Sequence, residues 1–504
     1  MSPTHMGGRE RGWSSVPLGR TWQVVAGSAA LGLAVSAGVV AAAGPWDSGQ
    51  RTAERSFAGA RDQRLDRIAH PVPVRRVAAP PPSAPPVLIP VRLGAGTTAA
   101  APSGGRTAPA TRATGPATAP AAAAAAGEAK SLAARLGPLM AASALGPFRT
   151  GAVVDVATGT LLYDHRATAA STPASTTKLA TAAAALSTLG AGHRFSTTVV
   201  STAPGRIVLV GGGDPSLGSE GLDGLADDTA KALTAAGTTT VTLAYDTSWF
   251  AGPALHPIGV NDNLAPVTAL MVREGRLDHT ASGPAPRAQD PAEAAAATFA
   301  ERLAVRGVTV KGRPGPGSGA GGTRLAVHGS APLSDLVETM LTNSDNDFAE
   351  ALARQTARAR GLPADFAGGA KAIAAVLARD GIPLTGAVFT DGSGLDHADR
   401  LAPVTEADLL ALAASPAQPE LRAIVTGLPI AAFTGTLTAR FHASPGAGLV
   451  HAKTGTLTGT NTIAGLTVTP AGRLLAFSFM TQRAPDPAGA QAALDRLAAA
   501  LAGP

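Results

Sequence analysis

The sequence contains no cysteine among its 504 residues, and aromatic residues make up only 4% of it. Without cysteine the chain can have no disulfide framework, no cysteine-ligated zinc site and no thiol nucleophile. The shortage of aromatic residues, together with 40 prolines, indicates a long segment that does not belong to a packed core. A hydrophobic content of 45% still predicts one or more folded domains.

Acidic charge is scarce in the N-terminal part of the chain. Residues 1–127 contain 13 arginines and five acidic residues, a balance of +8, whereas the whole chain carries +6. Residues 128–504 therefore carry −2, and the sequence does not predict the basic folded face of a nucleic-acid-binding protein. The ten histidines show no His-Glu-x-x-His or comparable ligand spacing, so we expect neither a metal ion nor another cofactor.

An uncharged segment extends from Thr21 to Trp46 and follows three arginines. It is longer than the apolar core of a signal peptide and long enough to span a bilayer. We expect an uncleaved membrane anchor, with a cleaved signal peptide as the alternative, and residues 1–20 as a cytoplasmic tail. The positive-inside rule places the following chain outside the cytoplasm, in the cell envelope or secreted. Residues 47–127, rich in proline and alanine, predict a disordered linker.

Regular secondary structure is predicted from residue 128 onwards. The predicted elements are a helix over 128–145, a hairpin over 151–165, a helix that ends at Gly190, a hairpin over 461–482 and a final helix over 487–503. The two hairpins are expected to turn at Thr158-Gly159 and at Pro470-Ala471-Gly472.

Helices and hairpins at both ends indicate an α+β domain, in which helices cover an antiparallel sheet, formed by residues 128–195 and 326–504. Residues 196–325 are richer in strand patterns and are predicted to form an inserted domain. Their Gly-Gly-Gly-Asp-Pro run at 211–215 is not followed by the Gly-Lys-Ser/Thr of a phosphate loop, and predicts a turn between strands.

Ser175 and Lys178 form a Ser-x-x-Lys pair at the start of a predicted helix. Thr172 and Pro173 are the predicted N-cap and first helical residue, so Ser175 lies in the first turn and Lys178 on the same helix face. Taken alone, the pair fits helix capping as well as it fits a nucleophile with its base. Lysine, with a pKa of about 10.4, is a poor base unless burial or a second cation lowers that value.

Two further motifs change the interpretation. Ser344 and Asn346 form the only Ser-x-Asn in the chain, at a break between two helical patterns, and Lys453 begins a Lys-Thr-Gly in a predicted strand. Alone, they fit a helix–helix turn and an exposed lysine. In this order, the three motifs are the signature of penicillin-binding proteins and class A β-lactamases. The first gap, 169 residues from Ser175 to Ser344, leaves room for the inserted domain.

With these motifs in place, the chain resembles the class C low-molecular-mass penicillin-binding proteins, the D-alanyl-D-alanine carboxypeptidase/endopeptidase family. The resemblance covers most of residues 130–500 and extends to the segments PASTTKLATAAAAL, LVGGGDPSLGS, DGSGLD, LPIAAFTGTLTARF and AKTGTLTGTNTIAGL. It implies a penicillin-recognising, transpeptidase-like domain that is interrupted after the Ser-x-x-Lys helix. It also implies a serine D-Ala-D-Ala carboxypeptidase that acts on peptidoglycan stem peptides, with endopeptidase activity as an open addition.

The resemblance also assigns roles to the motif residues. Ser175 would attack the D-Ala-D-Ala carbonyl, with Lys178 as its base. Ser344 would pass a proton to the leaving D-alanine, Asn346 would hold the substrate backbone, and Lys453 would bind the terminal carboxylate.

Further substrate contacts are expected from Thr454, which would share the carboxylate, and from Gly455, which would permit close approach to the strand. The backbone N–H groups of Thr456 and of the nucleophile would form the oxyanion hole. Asp246, as the resemblance implies, would reach the cleft from the insertion. His397 stands where many family members have an arginine, which leaves the specificity for the third stem residue open.

Two other functions are considered. A β-lactamase or esterase on the same scaffold would need a deacylating Glu-x-x-Leu-Asn, which the sequence lacks. A non-catalytic scaffold that binds the cell wall would not need a Ser–Lys pair. The expected partners are therefore stem peptides, β-lactams as covalent inhibitors, and the membrane through the N-terminal segment.

Overall fold

The computed structural model describes residues 119–278 and 280–503. The predicted cytoplasmic tail, the uncharged segment and most of the predicted linker lie outside the described residues. No helix in the described part is both long and apolar enough to cross a membrane. The first helix begins at Ala119, so residues 119–127 are helical and not linker, because their alanine run has a high helix propensity.

Eight of the ten α-helices in the described residues lie outside residues 196–325. The ten are α1 Ala119–Met140, α2 Thr177–Leu189, α3 Ser219–Ala235, α4 Pro291–Val305, α5 Leu333–Asn343, α6 Asn346–Ala359, α7 Phe366–Arg379, α8 Pro403–Ala413, α9 Arg422–Thr426 and α10 Pro487–Ala502.

The strands belong to two sheets. They are β1 Phe148–Asp155, β2 Leu161–His165, β3 Ser196–Ala203, β4 Arg206–Val210, β5 Thr240–Asp246, β6 Thr309–Val310, β7 Gly315–Pro316, β8 Thr323–Gly329, β9 His451–Leu457, β10 Thr460–Val468 and β11 Leu474–Gln482.

The first sheet has the order β2-β1-β11-β10-β9, and all its pairs are antiparallel. Alternate residues of its central strands face opposite sides, as the period of a strand requires. Ile463 lies in the core with α1 and α10, whereas Ala464 lies in the core with α2 and α5–α8. The sheet is thus buried between two helical layers, and the predicted α+β arrangement is confirmed.

The two predicted hairpins of this sheet are present. The first turns between β1 and β2 with Gly159 at φ 66°, and the second turns between β10 and β11 with Gly472 at φ 75°. Such positive φ values favour glycine. Gly190 ends α2 at φ 84° and donates its N–H to the carbonyl of Leu186, as predicted for a C-cap.

The second sheet has the order β6-β5-β4-β3-β8, with β7 paired to β5. It mixes antiparallel pairs around β3 with parallel pairs around β5, and α3 and α4 pack on it. The prediction for the Gly-rich run is wrong, because residues 211–215 connect β4 to α3 and not to another strand. The division of the chain into a catalytic and an inserted domain stays a prediction.

Candidate active site

Ser175 lies in a tight turn immediately before α2. Residues Ala174–Thr176 form a single 3-10 turn, and Ala174 has φ 51°, in the left-handed region that non-glycine residues rarely adopt. The predicted cap is wrong, since Thr172 makes no capping hydrogen bond and instead accepts one from Arg400 at 3.0 Å. The turn is held by Thr176, whose hydroxyl donates to the carbonyl of Pro173 at 2.7 Å.

Lys178 has its ammonium at the centre of the site. Its Nζ donates to Ser175 Oγ at 3.1 Å, to Asn346 Oδ1 at 2.7 Å and to the carbonyl oxygen of Ser393 at 2.7 Å. The residue is 0% exposed. Burial lowers the pKa of Lys178 to about 8, although four nearby carboxylates oppose this shift. Burial thus supplies the change that the sequence required for a lysine base.

The Ser-x-Asn motif occupies the break between α5 and α6. Ser344 ends α5 with φ 58°, and the side chain of Asp345 caps α6 by accepting the N–H of Phe348 at 3.0 Å. Asn346 begins α6, and its Nδ2 donates to the carbonyl oxygen of Asn263 at 2.8 Å. The amide of Asn346 therefore joins Lys178 to the segment between β5 and α4.

Lys453 lies on β9, the terminal strand of the first sheet, and is 0% exposed. Its Nζ donates to Ser344 Oγ at 2.8 Å and to the carbonyl of Thr454 at 2.6 Å. Burial, followed by repulsion from Lys178 and Arg440, lowers the pKa of Lys453 well below its usual value. Burial is therefore the largest cause of the lowered pKa at both lysines.

Gly455 permits the contact between β9 and the turn that carries Ser175. A Cβ at this position would lie 2.3 Å from Thr462 Oγ1 and 2.7 Å from the carbonyl oxygen of Pro173. Gly455 thus permits the close approach of the turn at Pro173–Ala174 to β9. On the neighbouring positions of the strand, Thr454 Oγ1 lies 2.9 Å from Thr436 Oγ1, and Thr456 Oγ1 lies 3.5 Å from the side chain of Asn461.

The structure brings together the three motifs, but it gives other partners to Asp246 and His397. The carboxylate of Asp246 accepts the N–H groups of Ser248 and Gly319, so it organises its own part of the second sheet. A substrate contact for Asp246 stays a prediction. The carbonyl oxygen of His397 accepts a hydrogen bond from the guanidinium of Arg400 at 2.6 Å, so an arginine lies beside the position at which this chain has histidine and many family members have arginine.

Sequence reasoning missed several groups that surround the motifs. Ser393, Asn263 and Thr436 each contact a motif residue, yet each lies in a loop or a short turn without periodicity. Ser393 and Thr436 belong to the DGSGLD and LPIAAFTGTLTARF segments, whose resemblance to the family was the available signal. Asn263 could not be recognised, because its contact with Asn346 joins positions 83 residues apart.

The arrangement can perform acyl transfer. A serine hydroxyl lies within reach of a buried lysine of lowered pKa, and a second lysine and a hydroxyl lie on the other side of the cleft. Together with the α+β fold, in which two helical layers enclose the first sheet, this site defines a penicillin-recognising serine enzyme.

A family model described as the D-Ala-D-Ala carboxypeptidase 3 (S13) family matches residues 132–286 and 278–501. The chain therefore belongs to this family. It is a class C low-molecular-mass penicillin-binding protein and a serine-type D-Ala-D-Ala carboxypeptidase.

The chain is similar to carboxypeptidase DacB of Mycolicibacterium smegmatis, with 37% identity over 74% of this chain and 84% of the relative. It is 30% identical to a D-alanyl-D-alanine carboxypeptidase of an Actinomadura species, over 67% of this chain and 78% of that one. The crystal structure of penicillin binding protein 4 from Haemophilus influenzae matches with a TM-score of 0.61 and 22% identity. That match covers 72% of this chain and 97% of the other, and it supports the fold.

Proposed function

We propose that this carboxypeptidase removes the terminal D-alanine of peptidoglycan stem peptides through an acyl-enzyme on Ser175. The observation that carries the proposal is the position of Lys178 Nζ, which lies 3.1 Å from Ser175 Oγ and is fully buried. Because its pKa is about 8, roughly a tenth of Lys178 is neutral at pH 7 and can accept a proton.

Acylation begins when Ser175 Oγ attacks the carbonyl carbon of the D-Ala-D-Ala bond and Lys178 accepts the hydroxyl proton. The C–N bond then breaks, and the amine of the leaving D-alanine takes up a proton by way of Ser344 Oγ, which Lys453 Nζ holds at 2.8 Å. Water next attacks the ester carbon, its hydroxyl stays on the new carboxyl group, and its proton reaches Ser175 Oγ as the ester C–O bond breaks. The products are free D-alanine and a stem peptide shortened by one residue.

Substrate binding is assigned to the outer edge of β9. As the terminal strand of its sheet, β9 offers backbone groups to which an extended peptide can add as a further strand. Lys453 and Thr454 would then meet the terminal carboxylate. The N–H groups of Ser175 and Thr456 would stabilise the oxyanion.

The substrate also determines where the enzyme works. Peptidoglycan lies outside the cytoplasm, so we propose that the folded chain acts in the cell envelope, anchored by the segment at residues 21–46 or secreted after its cleavage. β-Lactams would acylate Ser175 as covalent inhibitors, because they present a reactive carbonyl and a carboxylate to the same groups. A related structure contains a β-lactam bound to the Haemophilus influenzae protein.

Labelling with a fluorescent penicillin tests the nucleophile. Wild type is expected to be labelled and Ser175→Ala is not, since the attacking oxygen is gone. Ser187→Ala, on the same helix but near its other end, is the matched control and should be labelled like wild type. Labelling of Ser175→Ala at the wild-type level would contradict the assignment.

Product analysis tests the reaction. Incubation with a stem peptide ending in D-Ala-D-Ala should release one D-alanine per peptide, and a cross-linked dimer tests for endopeptidase cleavage. Labelling by penicillin without release of D-alanine would instead support the non-catalytic scaffold. Rapid turnover of the penicillin would support the β-lactamase alternative.

A further inference from the structure

The loop Gly392-Ser393-Gly394 is a buried wall of the site. The carbonyl oxygen of Ser393 accepts the ammonium of Lys178 at 2.7 Å, and the carbonyl oxygen of Gly392 accepts the hydroxyl of Thr181 at 2.6 Å. On its other side, a Cβ at Gly394 would lie 1.9 Å from the carbonyl oxygen of Ala174. The loop therefore touches the turn of the nucleophile and the helix of the base at once.

Glu350 holds this loop from α6. It lies four residues after Asn346 and so on the same face of the helix. Its Oε1 accepts the N–H of Ser393 at 2.8 Å, and its two oxygens lie 3.1 and 3.2 Å from the N–H of Gly392. The side chain is 0% exposed. One helix thus contacts Lys178 directly through Asn346 and also fixes the loop that holds Lys178.

Asp391 holds the same loop from within. Its Oδ1 accepts the N–H groups of Ser393 at 3.1 Å and Gly394 at 2.6 Å, and its Oδ2 accepts that of Asp396 at 2.8 Å. Its side-chain partners are Asp399 and His256, whose Nε2 lies 3.0 Å from Oδ2. His256 is 2% exposed and lies between β5 and α4, far from the catalytic motifs in sequence.

We propose that Glu350 and Asp391 are positioning residues for Lys178, acting through the Ser393 peptide, and that His256 fixes Asp391. The ligand atoms of these three side chains lie within 4.8 Å of one another, as in a metal site. Backbone N–H donors already occupy the carboxylate oxygens, however, and this identifies a hydrogen-bonded support. The inference rests on the proposed role of Lys178 as the base.

The charges around this support determine the expected pH effect. Glu350 faces Lys178, Asp391, His256 and Arg354, and the carboxylates of Asp345 and Asp347 also act on Lys178. Asp399 is hydrogen-bonded to Asp391, and Asp396 acts on His256. Glu350, Asp391 and the Ser393 carbonyl all favour the ammonium form of Lys178. Removing a negative charge from the support lowers the pKa of Lys178, so the neutral base persists to lower pH.

Glu350→Gln tests the proposal by removing the charge and one hydrogen-bond acceptor. We expect the maximal rate of penicillin acylation to fall between about tenfold and a hundredfold, because the base is less well aligned. We also expect the rising limb of the pH–rate profile to move to lower pH. Asp155→Asn is the matched control, since Asp155 is a buried carboxylate paired with Arg473 at the end of β1. Asp155→Asn should change the stability of the protein without moving the rising limb of the pH–rate profile.

His256→Gln tests the same support from the other side, and it decides the question if Glu350→Gln does not fold. A several-fold loss of rate in the folded variant, with no acid shift because no negative charge is removed, supports the proposal. Unchanged rates and an unchanged limb in the folded variants would overturn it, as would a loss of rate that follows only the folded fraction. If Ser175→Ala is unlabelled while these variants react like wild type, the positioning role fails and the proposed function stands.

Discussion

Lys178 shows how much the chemistry of one residue depends on its burial. An exposed lysine is almost entirely protonated near neutral pH, whereas burial lowers the pKa of Lys178 to about 8. The nearby carboxylates prevent a larger shift. The residue is therefore balanced between the ammonium form, which its three hydrogen-bond acceptors favour, and the neutral form that can take the serine proton.

Lys178→Arg tests this balance. A guanidinium keeps its charge throughout the accessible pH range, so it cannot accept the proton of Ser175. Penicillin acylation should fall by about a factor of 10² to 10⁴, the usual contribution of a general base. The rate of labelling measures the effect, and Lys231→Arg, at a side chain 77% exposed, is the control. A variant with near-wild-type rates would show that another group accepts the proton.

At the scale of elements, the contact of α8 with β11 contains the buried carboxyl group of Glu406. Glu406 lies on α8 and accepts the hydroxyl of Ser478 at 2.8 Å. Burial raises the pKa of Glu406 to about 7, although Thr176, Ser478 and Lys453 favour the ionised form. The protonated acid is the form that suits this interface, because an ionised carboxylate loses its solvation there.

This gives a prediction with a definite sign. Since the folded pKa of Glu406 exceeds the unfolded value, its contribution to stability is complete below the unfolded pKa and is lost as pH rises through about 7. Glu406→Gln, which stays neutral, should lose less unfolding free energy than wild type between about pH 4.5 and pH 7.5, by roughly 3 kcal/mol. Urea unfolding of both proteins across this range measures the difference, and parallel curves would contradict the prediction.

Elements with strong local signals could be predicted from the sequence, and the others could not. Both hairpins and the Gly190 cap follow from turn residues and periodicity. The 3-10 turn at Ala174–Thr176 could not be predicted in this way, because its conformation is imposed by contacts with Thr462 and with the DGSGLD loop. The motif residues were recognisable by type and order. His256 was not, because its partner Asp391 lies 135 residues away.

At the scale of the whole molecule, Arg354 connects α6 to the chain that follows β5. It is 1% exposed, and its guanidinium donates to the carbonyl oxygens of Ala251, Pro253 and Ala364 at 2.9, 2.8 and 3.3 Å. It also lies 4.4 Å from the ring centre of Phe366. The same helix thus supports the active site at its first turns and the neighbouring segment at its later turns.

Arg354→Met should release that segment. Each unpaired buried carbonyl costs about 1–3 kcal/mol, so the segment at residues 251–263 should become sensitive to proteolysis before the rest of the protein unfolds. Limited proteolysis with mass spectrometry locates the cuts. Arg358→Met, one turn further along and exposed, removes a cation–π contact with Trp249 and serves as the control. Equal protease resistance in both variants would refute the connection.

The pairing of β1 with β11 joins parts of the chain more than three hundred residues apart, and Thr481 bonds to the carbonyl of Leu145 beside it. Contacts this distant in sequence form slowly, because a long loop must close before they contribute any stability. The strand that carries Lys453 belongs to the same sheet and is also made late in synthesis. A growing chain therefore exposes Ser175 and Lys178 long before it can assemble a reactive site. We therefore expect activity only after the last strands have docked.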